Sequence, residues 1–471
     1  MVILVVMKNT PCTLLHLLTA IAFLWQCTAC HKKDVDTPFP APTDSLGKIN
    51  AWVYDSMRYY YYWNQSMPAH PDISLPVADF FKSLLAKEDR FSSVSNGITS
   101  TAVKPTFAQY GFQYAWVQHP ANPNALTGVV LHVAAMSTAW NKGLRRGSCF
   151  VAVNNTAVTI SNVATIDEVL HSGHTFTMDT VVFSNSQVQN RGTLQLAAAY
   201  IAENPVVATR LFQYNGVTTG YLFYNAFDEQ YDVSLLTAME KIKQAGASEC
   251  IVDLRYNPGG STSTAAKLAA MLVNVQATST FAVFQGNGNG GKRTYTFDGI
   301  LRTAINPSGK TFSDLAARSL SLKRVFILTT RSTVSAAELL VQSVKPYAQV
   351  IQLGDTTLGK DEASFQISDM RTPRQINWVL QPTIYKLFNA NGTGNYNKGI
   401  APFLYINELS VFPLQPEGSV ADPLVQQALQ TIYGRVAVTE TNLRHTYAPV
   451  QAYKNSAAAD AMLAPAVTIP R

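Results

Sequence analysis

Ser335 stands in a sequence context that suits a nucleophile. It follows the apolar run RVFILTT (324–330) and begins SAAELLVQSVKPY (335–347), whose apolar spacing is helical, so we expect it at a turn between a strand and a helix. Glu338 lies three positions later, which is the spacing of a capping box at a helix start. Unpaired N–H groups at such a start also stabilise developing negative charge. The pattern therefore predicts either a helix cap or a nucleophile at Ser335, and both interpretations stay open.

The base for such a serine has to be a residue other than histidine. No histidine lies between residues 175 and 444, and no G-x-S-x-G segment occurs, which excludes a Ser-His-Asp triad within this region. Lysine can act as a base when burial lowers its pKa towards neutrality. Lys360 follows the next predicted strand, AQVIQLG (348–354), and the parallel strands of a β-α-β unit end at the same sheet edge. We therefore expect that Ser335 and Lys360 can meet.

Donors for an oxyanion hole are predicted in two places. Ala336 would open the helix, with its N–H unpaired. The turn NPGG (257–260) follows a second predicted strand, ECIVDLRY (249–256), and a glycine there lets the backbone approach a substrate closely. Either Gly259 or Gly260 can supply the second N–H group.

The chain is long enough for two to three domains. We predict an N-terminal helical domain over 45–104, with helices in 49–67 and 77–94. A mainly β domain over 105–200 precedes an α/β domain over 201–434, in which alternating strands and helices predict a largely parallel or mixed sheet. Residues 435–471 form a C-terminal tail.

The N-terminus is typical of an exported protein. The apolar run LLHLLTAIAFLW (14–25) has about the length of a signal-peptide core and is short for a membrane span. The segment CTAC (27–30) resembles a bacterial lipobox, which predicts a signal peptide over 1–29, lipidation at Cys30 and a tether over 30–44. We expect a cell-envelope protein, lipid-anchored to a membrane on the periplasmic or outer-membrane side. An ordinary cleaved signal or a single anchor helix is the alternative.

Composition excludes several classes of partner. The net charge is +6 over 471 residues and no long Lys/Arg block occurs, so nucleic acid is not a predicted partner. No His/Cys cluster has zinc spacing, and neither a metal nor another cofactor is predicted. Beyond Cys30, only Cys149 and Cys250 remain as possible free thiols, so a disulfide framework is not expected. The sequence does not indicate an oligomeric state.

Six segments, in this order, resemble those of the carboxyl-terminal processing (tail-specific) serine proteases. They are DRFSSV (89–94), STAWNKGLRRGSCFVAVNN (137–155), DLRYNPGG (253–260), STVSAAELL (332–340), GDTTLGK (354–360) and EGSVADPLVQQALQTI (417–432). With the lipobox, the combination looks most like the Bacteroidetes-type, PDZ-containing lipoprotein members. The resemblance implies an α+β multidomain fold with an N-terminal helical segment, a PDZ-like β domain and an α/β protease domain of the ClpP/crotonase-like type.

The resemblance also implies a function. The protein would be a serine endopeptidase that uses acyl-enzyme chemistry, with Ser335 as nucleophile and Lys360 as general base. Ala336, with Gly259 or Gly260, would form the oxyanion hole. The PDZ-like domain would recruit polypeptide substrates with accessible C-termini, and QYGF (109–112), through Tyr110, Gly111 and Phe112, would be its carboxylate-binding loop.

The sequence departs from the family pattern beside the lysine. The family often has Gln four residues after it, where this chain has Ser364. Asp361 and Glu362 follow Lys360 directly, and they would raise its pKa unless they point to solvent. These departures favour the alternative, a catalytically impaired peptide-binding lipoprotein that retains the protease fold. A penicillin-recognising Ser/Lys enzyme would need lysine at position 338, which is Glu338.

Overall fold

The computed structural model describes residues 42–97, 106–184, 187–304, 309–410, 412–434 and 452–455. The predicted signal peptide, Cys30, most of the tether and most of the tail lie outside these residues, so those assignments stay predictions. In the part of the chain that is described, no helix combines the length and apolarity needed to cross a membrane.

The described helices, in chain order, are α1 (Ser45–Tyr60), α2 (Val77–Ser83), α3 (Thr106–Tyr110), α4 (Thr138–Asn141), α5 (Val163–Leu170), α6 (Asp232–Gln244), α7 (Thr262–Leu272), α8 (Phe297–Leu301), α9 (Phe312–Ala316), α10 (Ala336–Val344) and α11 (Pro423–Tyr433). Short 3-10 turns occur at Asn64–Ser66, Glu229–Tyr231 and Glu408–Ser410.

The described strands are β1 (Ser93–Asn96), β2 (Phe112–His119), β3 (Asn122–Val133), β4 (Cys149–Val153), β5 (Thr156–Ala157), β6 (Phe176–Ser184), β7 (Gln187–Leu196), β8 (Val206–Tyr214), β9 (Val217–Tyr224), β10 (Glu249–Asp253), β11 (Thr280–Gln285), β12 (Lys292–Thr296), β13 (Arg324–Thr329), β14 (Gln349–Gly354), β15 (Glu362–Ala363), β16 (Ile367–Ser368), β17 (Trp378–Gln381), β18 (Tyr385–Phe388), β19 (Leu404–Tyr405) and β20 (Ala452–Asn455). They form a six-stranded sheet (β19-β14-β13-β10-β9-β8), a seven-stranded sheet (β20-β2-β3-β4-β6-β7, with β5 beside β4), a four-stranded sheet (β12-β11-β18-β15) and a three-stranded sheet (β1-β17-β16).

The six-stranded sheet positions the candidate site. It is parallel from β9 to β19, and β8 runs antiparallel at its edge, so the predicted mixed α/β fold is confirmed. Helices α7 and α10, buried at every residue, cover one face. Helix α11 and the seven-stranded sheet cover the other. Burial on both faces explains why β10 and β13 are almost continuously apolar. Their carboxyl ends lead directly into the glycine turn and Ser335.

The N-terminal helices differ from the prediction. Helix α1 ends at Tyr60, and α2 ends at Ser83 rather than continuing to residue 94. The Asp89 carboxylate accepts hydrogen bonds from the N–H groups of Phe91 (3.0 Å) and Ser92 (2.9 Å), a local turn that competes with helix. Strand β1 follows and pairs with β17. Both helices pack into the same core as α7 and α10, so this segment shares the hydrophobic core of the six-stranded sheet.

The seven-stranded sheet has two different faces at β2. Tyr114 and Trp116 pack inwards against α5, whereas Ala115 and Val117 pack towards the six-stranded sheet. Strand β20, inside the predicted tail, pairs antiparallel with β2. Four residues carry no periodicity that sequence reasoning could recognise, so the strand was not predicted. Cys149 is buried, as is Cys250 in β10, and both are free thiols.

A buried ionic cluster fastens α11 to the six-stranded sheet. Arg255 Nη2 lies 2.8 Å from Asp253 Oδ2 at the end of β10, and Arg255 Nη1 lies 2.8 Å from Asp422 Oδ2. Asp422 also caps α11 by accepting hydrogen bonds from Leu424 N–H and Val425 N–H. Arg255 thus connects the end of β10 to the helix start at Asp422.

Replacing Arg255 with methionine leaves Asp253 and Asp422 buried without this cation. We expect Arg255→Met to lower the free energy of unfolding by about 3–5 kcal/mol, measured by denaturant titration. The control, Arg302→Ala, breaks an exposed ion pair with Asp298 and should cost about 0.5 kcal/mol or less. Equal losses in the two variants would contradict this account of the cluster.

Candidate active site

Ser335 occupies a strained turn between β13 and α10. Its backbone has φ 59° and ψ −116°, a sparsely populated region for a residue with a side chain. The preceding residue is tied down, since the Val334 N–H donates to the Asn257 carbonyl at 3.0 Å. Ser335 itself is fully buried. Such strain persists only where the surroundings determine the conformation, and here those surroundings are the glycine turn and Glu338.

The Glu338 carboxylate joins the serine turn to the lysine loop. Its Oε2 accepts hydrogen bonds from Ser335 N–H and Lys360 N–H, both at 2.8 Å. Its Oε1 accepts from Thr357 Oγ1 at 2.5 Å and from Gly359 N–H at 2.6 Å. Two segments that are distant in sequence therefore share one buried carboxylate.

The side chains of Ser335 and Lys360 are not hydrogen-bonded to each other in this structure. Ser335 Oγ has no hydrogen-bond partner among the described residues, so only the Glu338 half of the predicted capping box holds the helix start. Lys360 Nζ lies over the ring of Phe91, 5.2 Å from its centroid. The hydroxyl is therefore free of the cap, and attack would require the two side chains to approach.

The glycine turn lies directly against Ser335. A Cβ on Gly259, whose φ is +99°, would lie 2.7 Å from Ser335 Cβ and 2.9 Å from Ala336 N. Only glycine therefore fits this contact. The Gly259 N–H donates to Asn257 Oδ1 at 2.8 Å, and the Asn257 amide donates to the Tyr224 carbonyl. Asn257, rather than Asp253 or Arg255, thus holds the turn.

The acidic pair after Lys360 does not point to solvent. Asp361 and Glu362 are buried, and Lys386 from β18 lies between them. Its Nζ is 2.8 Å from Asp361 Oδ1 and 2.7 Å from Glu362 Oε1. Thr383 Oγ1 donates to the other oxygen of Glu362 at 2.5 Å. Lys386 therefore offsets part of the negative charge that was expected to spoil Lys360 as a base.

Burial shifts the protonation equilibria of the site. It lowers the pKa of Lys360 to about 8, against the raising influence of Glu362 and Glu338. It raises the pKa of Glu338 to about 7, while the hydrogen bonds that the carboxylate accepts act in the opposite direction. Lys360 thus has a substantial neutral fraction near pH 8, which is the form that can accept a proton.

A small pocket opens beside the lysine. It is lined by Phe91, Lys360, Glu362, Ala363, Ser364 and Thr383. Ser364 occupies the position where the family often has glutamine, and Gln381 Nε2 from β17 donates to its hydroxyl at 3.4 Å. A neighbouring strand therefore brings an amide to the position where the sequence lacks one.

The predicted carboxylate-binding loop lies elsewhere, at the start of β2. The Tyr110 and Phe112 side chains are buried in the core beneath α5, and Tyr110 OH donates to the His174 carbonyl at 2.7 Å. The Gly111 N–H donates to the Phe107 carbonyl at 2.9 Å. In this structure, therefore, these side chains face the core and the Gly111 N–H is already used.

Comparison with known proteins agrees with this description. Residues 218–406 match Peptidase family S41, and residues 48–93 match the Peptidase S41 N-terminal domain. The chain is 23% identical over 241 residues to the chloroplastic C-terminal processing peptidase of Tetradesmus obliquus, covering 49% of this chain and 47% of that protein. It is 24% identical over 179 residues to the carboxyl-terminal-processing protease of a Picosynechococcus strain, covering 38% of each. The chain thus spans less than half the length of these curated relatives.

A crystal structure of a protein from Bacteroides fragilis NCTC 9343, assigned as an S41 protease, is similar to this chain over nearly the whole length of the Bacteroides protein. It has a TM-score of 0.66 and 25% sequence identity, and the similarity covers 84% of this chain and 98% of that one. The class to which these similarities point is the S41 peptidases. Residues 48–93 and 218–406 of the chain resemble peptidase family S41, and the predicted resemblance to carboxyl-terminal processing proteases is confirmed.

Sequence reasoning missed two residues of this site. The contact of Glu338 with the lysine loop was not predicted, because its spacing from Ser335 already had an explanation as a cap. Lys386 was missed because it lies 24 residues after Glu362 and no local motif marks it. The usable signal was the acidic pair itself, since buried carboxylates require a cation nearby.

Glu338→Gln tests the shared carboxylate. An amide NH2 group in place of one oxygen would face two N–H or O–H donors, so two hydrogen bonds are lost. We expect the free energy of unfolding to fall by about 2–4 kcal/mol in a denaturant titration. Glu88→Gln, an exposed glutamate, is the matched control and should be close to neutral. A loss below about 1 kcal/mol would show that Glu338 does not hold these segments together.

Proposed function

We propose that the protein is a serine endopeptidase that cleaves extended or C-terminal polypeptide segments with a Ser335–Lys360 dyad. The observation that carries this proposal is the Glu338 carboxylate, which accepts from the backbone N–H groups of both residues. The unpartnered Ser335 hydroxyl and the lowered pKa of Lys360 suit a nucleophile and its base.

In the proposed reaction, neutral Lys360 accepts the Ser335 hydroxyl proton while Oγ bonds to the substrate carbonyl carbon. The negative oxygen is stabilised by the Ala336 N–H and by a glycine N–H. Of the two candidates, Gly260 is favoured, because the Gly259 N–H already donates to Asn257. The Lys360 ammonium then protonates the leaving amine as the C–N bond breaks. Lys360 then takes a proton from a water as the water oxygen bonds to the acyl carbon, and it gives that proton to Ser335 Oγ as the ester bond breaks.

Substrate access is proposed to require a conformational change that exposes Ser335 and brings the Lys360 side chain to it, since Ser335 is fully buried and its hydroxyl is not hydrogen-bonded to Lys360. The same observation favours the second candidate, a peptide-binding lipoprotein that retains the protease fold without turnover. The two are distinguished by whether added peptide is released as cleaved product or only bound.

We further propose that the seven-stranded sheet with α5 is a PDZ-like domain and that the six-stranded sheet belongs to a ClpP/crotonase-like protease domain. The PDZ-like unit would recruit substrate C-termini as an added strand. Because the Gly111 N–H is used by the Phe107 carbonyl, strand pairing rather than carboxylate capture would carry this recruitment. Anchoring through lipidated Cys30 and a location in the cell envelope complete the proposal.

Ser335→Ala and Lys360→Ala should each reduce cleavage of an unfolded polypeptide by at least about a thousandfold, because the nucleophile and its base act as one unit. The far-ultraviolet circular dichroism should stay unchanged. Lys87→Ala removes an exposed lysine as the control and should cleave normally. Full activity of Lys360→Ala at neutral pH would contradict the dyad.

The pH profile should depend on Lys386 although it does not touch the serine. Since neutral Lys360 is the base, kcat/KM should rise with pH through about 8 in the wild type. In Lys386→Met the charges of Asp361 and Glu362 are no longer balanced, and with Glu338 they raise the pKa of Lys360. The rising limb of the profile should move to higher pH. At a pH below this limb, kcat/KM should fall about tenfold for each unit by which the pKa of Lys360 rises. Lys386→Arg should restore the profile, and an unchanged limb in Lys386→Met would contradict the role.

A further inference from the structure

The seven-stranded sheet already holds an added strand that comes from the chain itself. Strand β20 pairs antiparallel with the outer edge of β2, with Ala115 opposite Asn455, Trp116 opposite Lys454 and Val117 opposite Ala452. The register runs β20 towards Phe112, the direction in which a bound peptide would approach the Tyr110–Phe112 loop. Because an open strand edge is a template for pairing, β20 occupies the position that a peptide ligand would take.

A side-chain contact joins β20 to α5. Helix α5 and strand β2 are the two walls of a groove, and β20 lies beside both. Lys454 Nζ lies 2.5 Å from Asp167 Oδ2 on α5. The other oxygen of Asp167 accepts hydrogen bonds from Tyr114 OH at 2.7 Å and Trp116 Nε1 at 2.8 Å, both from β2. One carboxylate thus connects the two walls of the groove and holds the strand between them.

Asp167 makes the groove selective by charge. The carboxylate is buried, whereas Lys454 is about half exposed. Tyr114 and Trp116 are neutral donors, and Lys454 is the cation with which Asp167 forms a salt bridge among the described residues. A buried carboxylate favours a cationic partner and disfavours an anionic one. A strand with Lys or Arg opposite Trp116 is therefore preferred over one with Asp or Glu.

The contact does not use a terminal carboxylate. Sixteen residues of the sequence follow Asn455, so the paired segment is internal. The Gly111 N–H, which a carboxylate would need, is already donated to the Phe107 carbonyl. Backbone pairing and the Lys454–Asp167 ion pair are the interactions that hold the segment.

We propose that the groove between β2 and α5 is a binding site for an internal, extended polypeptide segment with a basic side chain, and that residues 452–455 are its resident ligand. The inference rests on the proposed recruitment of substrates by this sheet. A substrate would then have to displace the chain's own strand, and Asp167 would determine which side chain is accepted beside it.

The test is peptide binding by the full chain in a Ser335→Ala background, which removes cleavage. The ligand is a fluorescein-labelled peptide with the sequence of residues 449–458 and an amidated C-terminus, and the readout is fluorescence anisotropy. Lys454→Glu places an anion against Asp167 and should release the resident strand. Because a tethered competitor acts at an effective concentration on the order of millimolar, peptide affinity should rise about tenfold or more.

Three comparisons make the test specific. Lys142→Glu, an exposed lysine in the same sheet unit, is the charge-matched control and should bind like the parent. A peptide with Glu in place of Lys should bind the Lys454→Glu protein at least about tenfold more weakly, because like charges meet at Asp167. Adding Asp167→Asn, which keeps an acceptor for Tyr114 and Trp116, should reduce this preference to about twofold or less.

The proposal is overturned if Lys454→Glu and Lys142→Glu bind the peptide equally, or if no variant binds it. Faster amide hydrogen exchange along β2 in Lys454→Glu supports it independently of the peptide, and unchanged exchange counts against it. The outcome is separate from the proposed peptidase activity. Ser335-dependent cleavage without the change in peptide affinity would support the peptidase and contradict the binding site. A change in affinity without cleavage would support the binding site and contradict the peptidase.

Discussion

The candidate site depends on the carboxylate of Glu338. One of its oxygens accepts from both Ser335 N–H and Lys360 N–H, and the other fixes the turn that leads into the lysine. It adds to a backbone hydrogen bond that also joins the two segments, in which the Leu358 N–H donates to the Thr333 carbonyl at 3.1 Å. A carboxylate can do this because it has acceptor positions for four donors and offers no donor that would conflict with them. The geometry of the site is therefore set by one side-chain carboxylate that binds the backbone N–H groups of both segments.

Charge compensation is the second constraint. Burial lowers the pKa of Lys360 to about 8 against neighbouring negative charge, and Lys386, at 2.8 Å from Asp361 and 2.7 Å from Glu362, offsets part of that charge. Arg255 plays a comparable part for Asp253 and Asp422 on the other side of the sheet. In both places, a cation that is fully or largely buried joins segments that are far apart in sequence. Removing either is expected to affect more than the local contact, because buried carboxylates lose a cation, although Asp422 keeps Arg146 Nη2 at 3.3 Å.

Sequence reasoning reached the parallel strands and the helix after Ser335, because buried strands of this length have a strong apolar signal. It also identified the turn at Gly259, whose close approach to Ser335 only glycine permits. It overextended the helix at 77–94, which ends at Ser83, and the Asp89 side chain forms a local turn with the N–H groups of residues 91 and 92. Strand β20 and the contacts of Lys386 and Asp167 were out of reach, since they depend on tertiary neighbours and leave no local pattern.

The most direct test of the dyad is the pH dependence of Ser335 acylation. A serine-directed fluorophosphonate probe is added to the full-length protein, and its attachment to Ser335 is quantified by mass spectrometry between pH 6 and pH 10. The account predicts that the labelling rate rises through an apparent pKa of about 8 and that labelling is lost in Lys360→Ala. Labelling of Ser335 that is independent of pH and equally fast without Lys360 would contradict the claim that this lysine activates the serine.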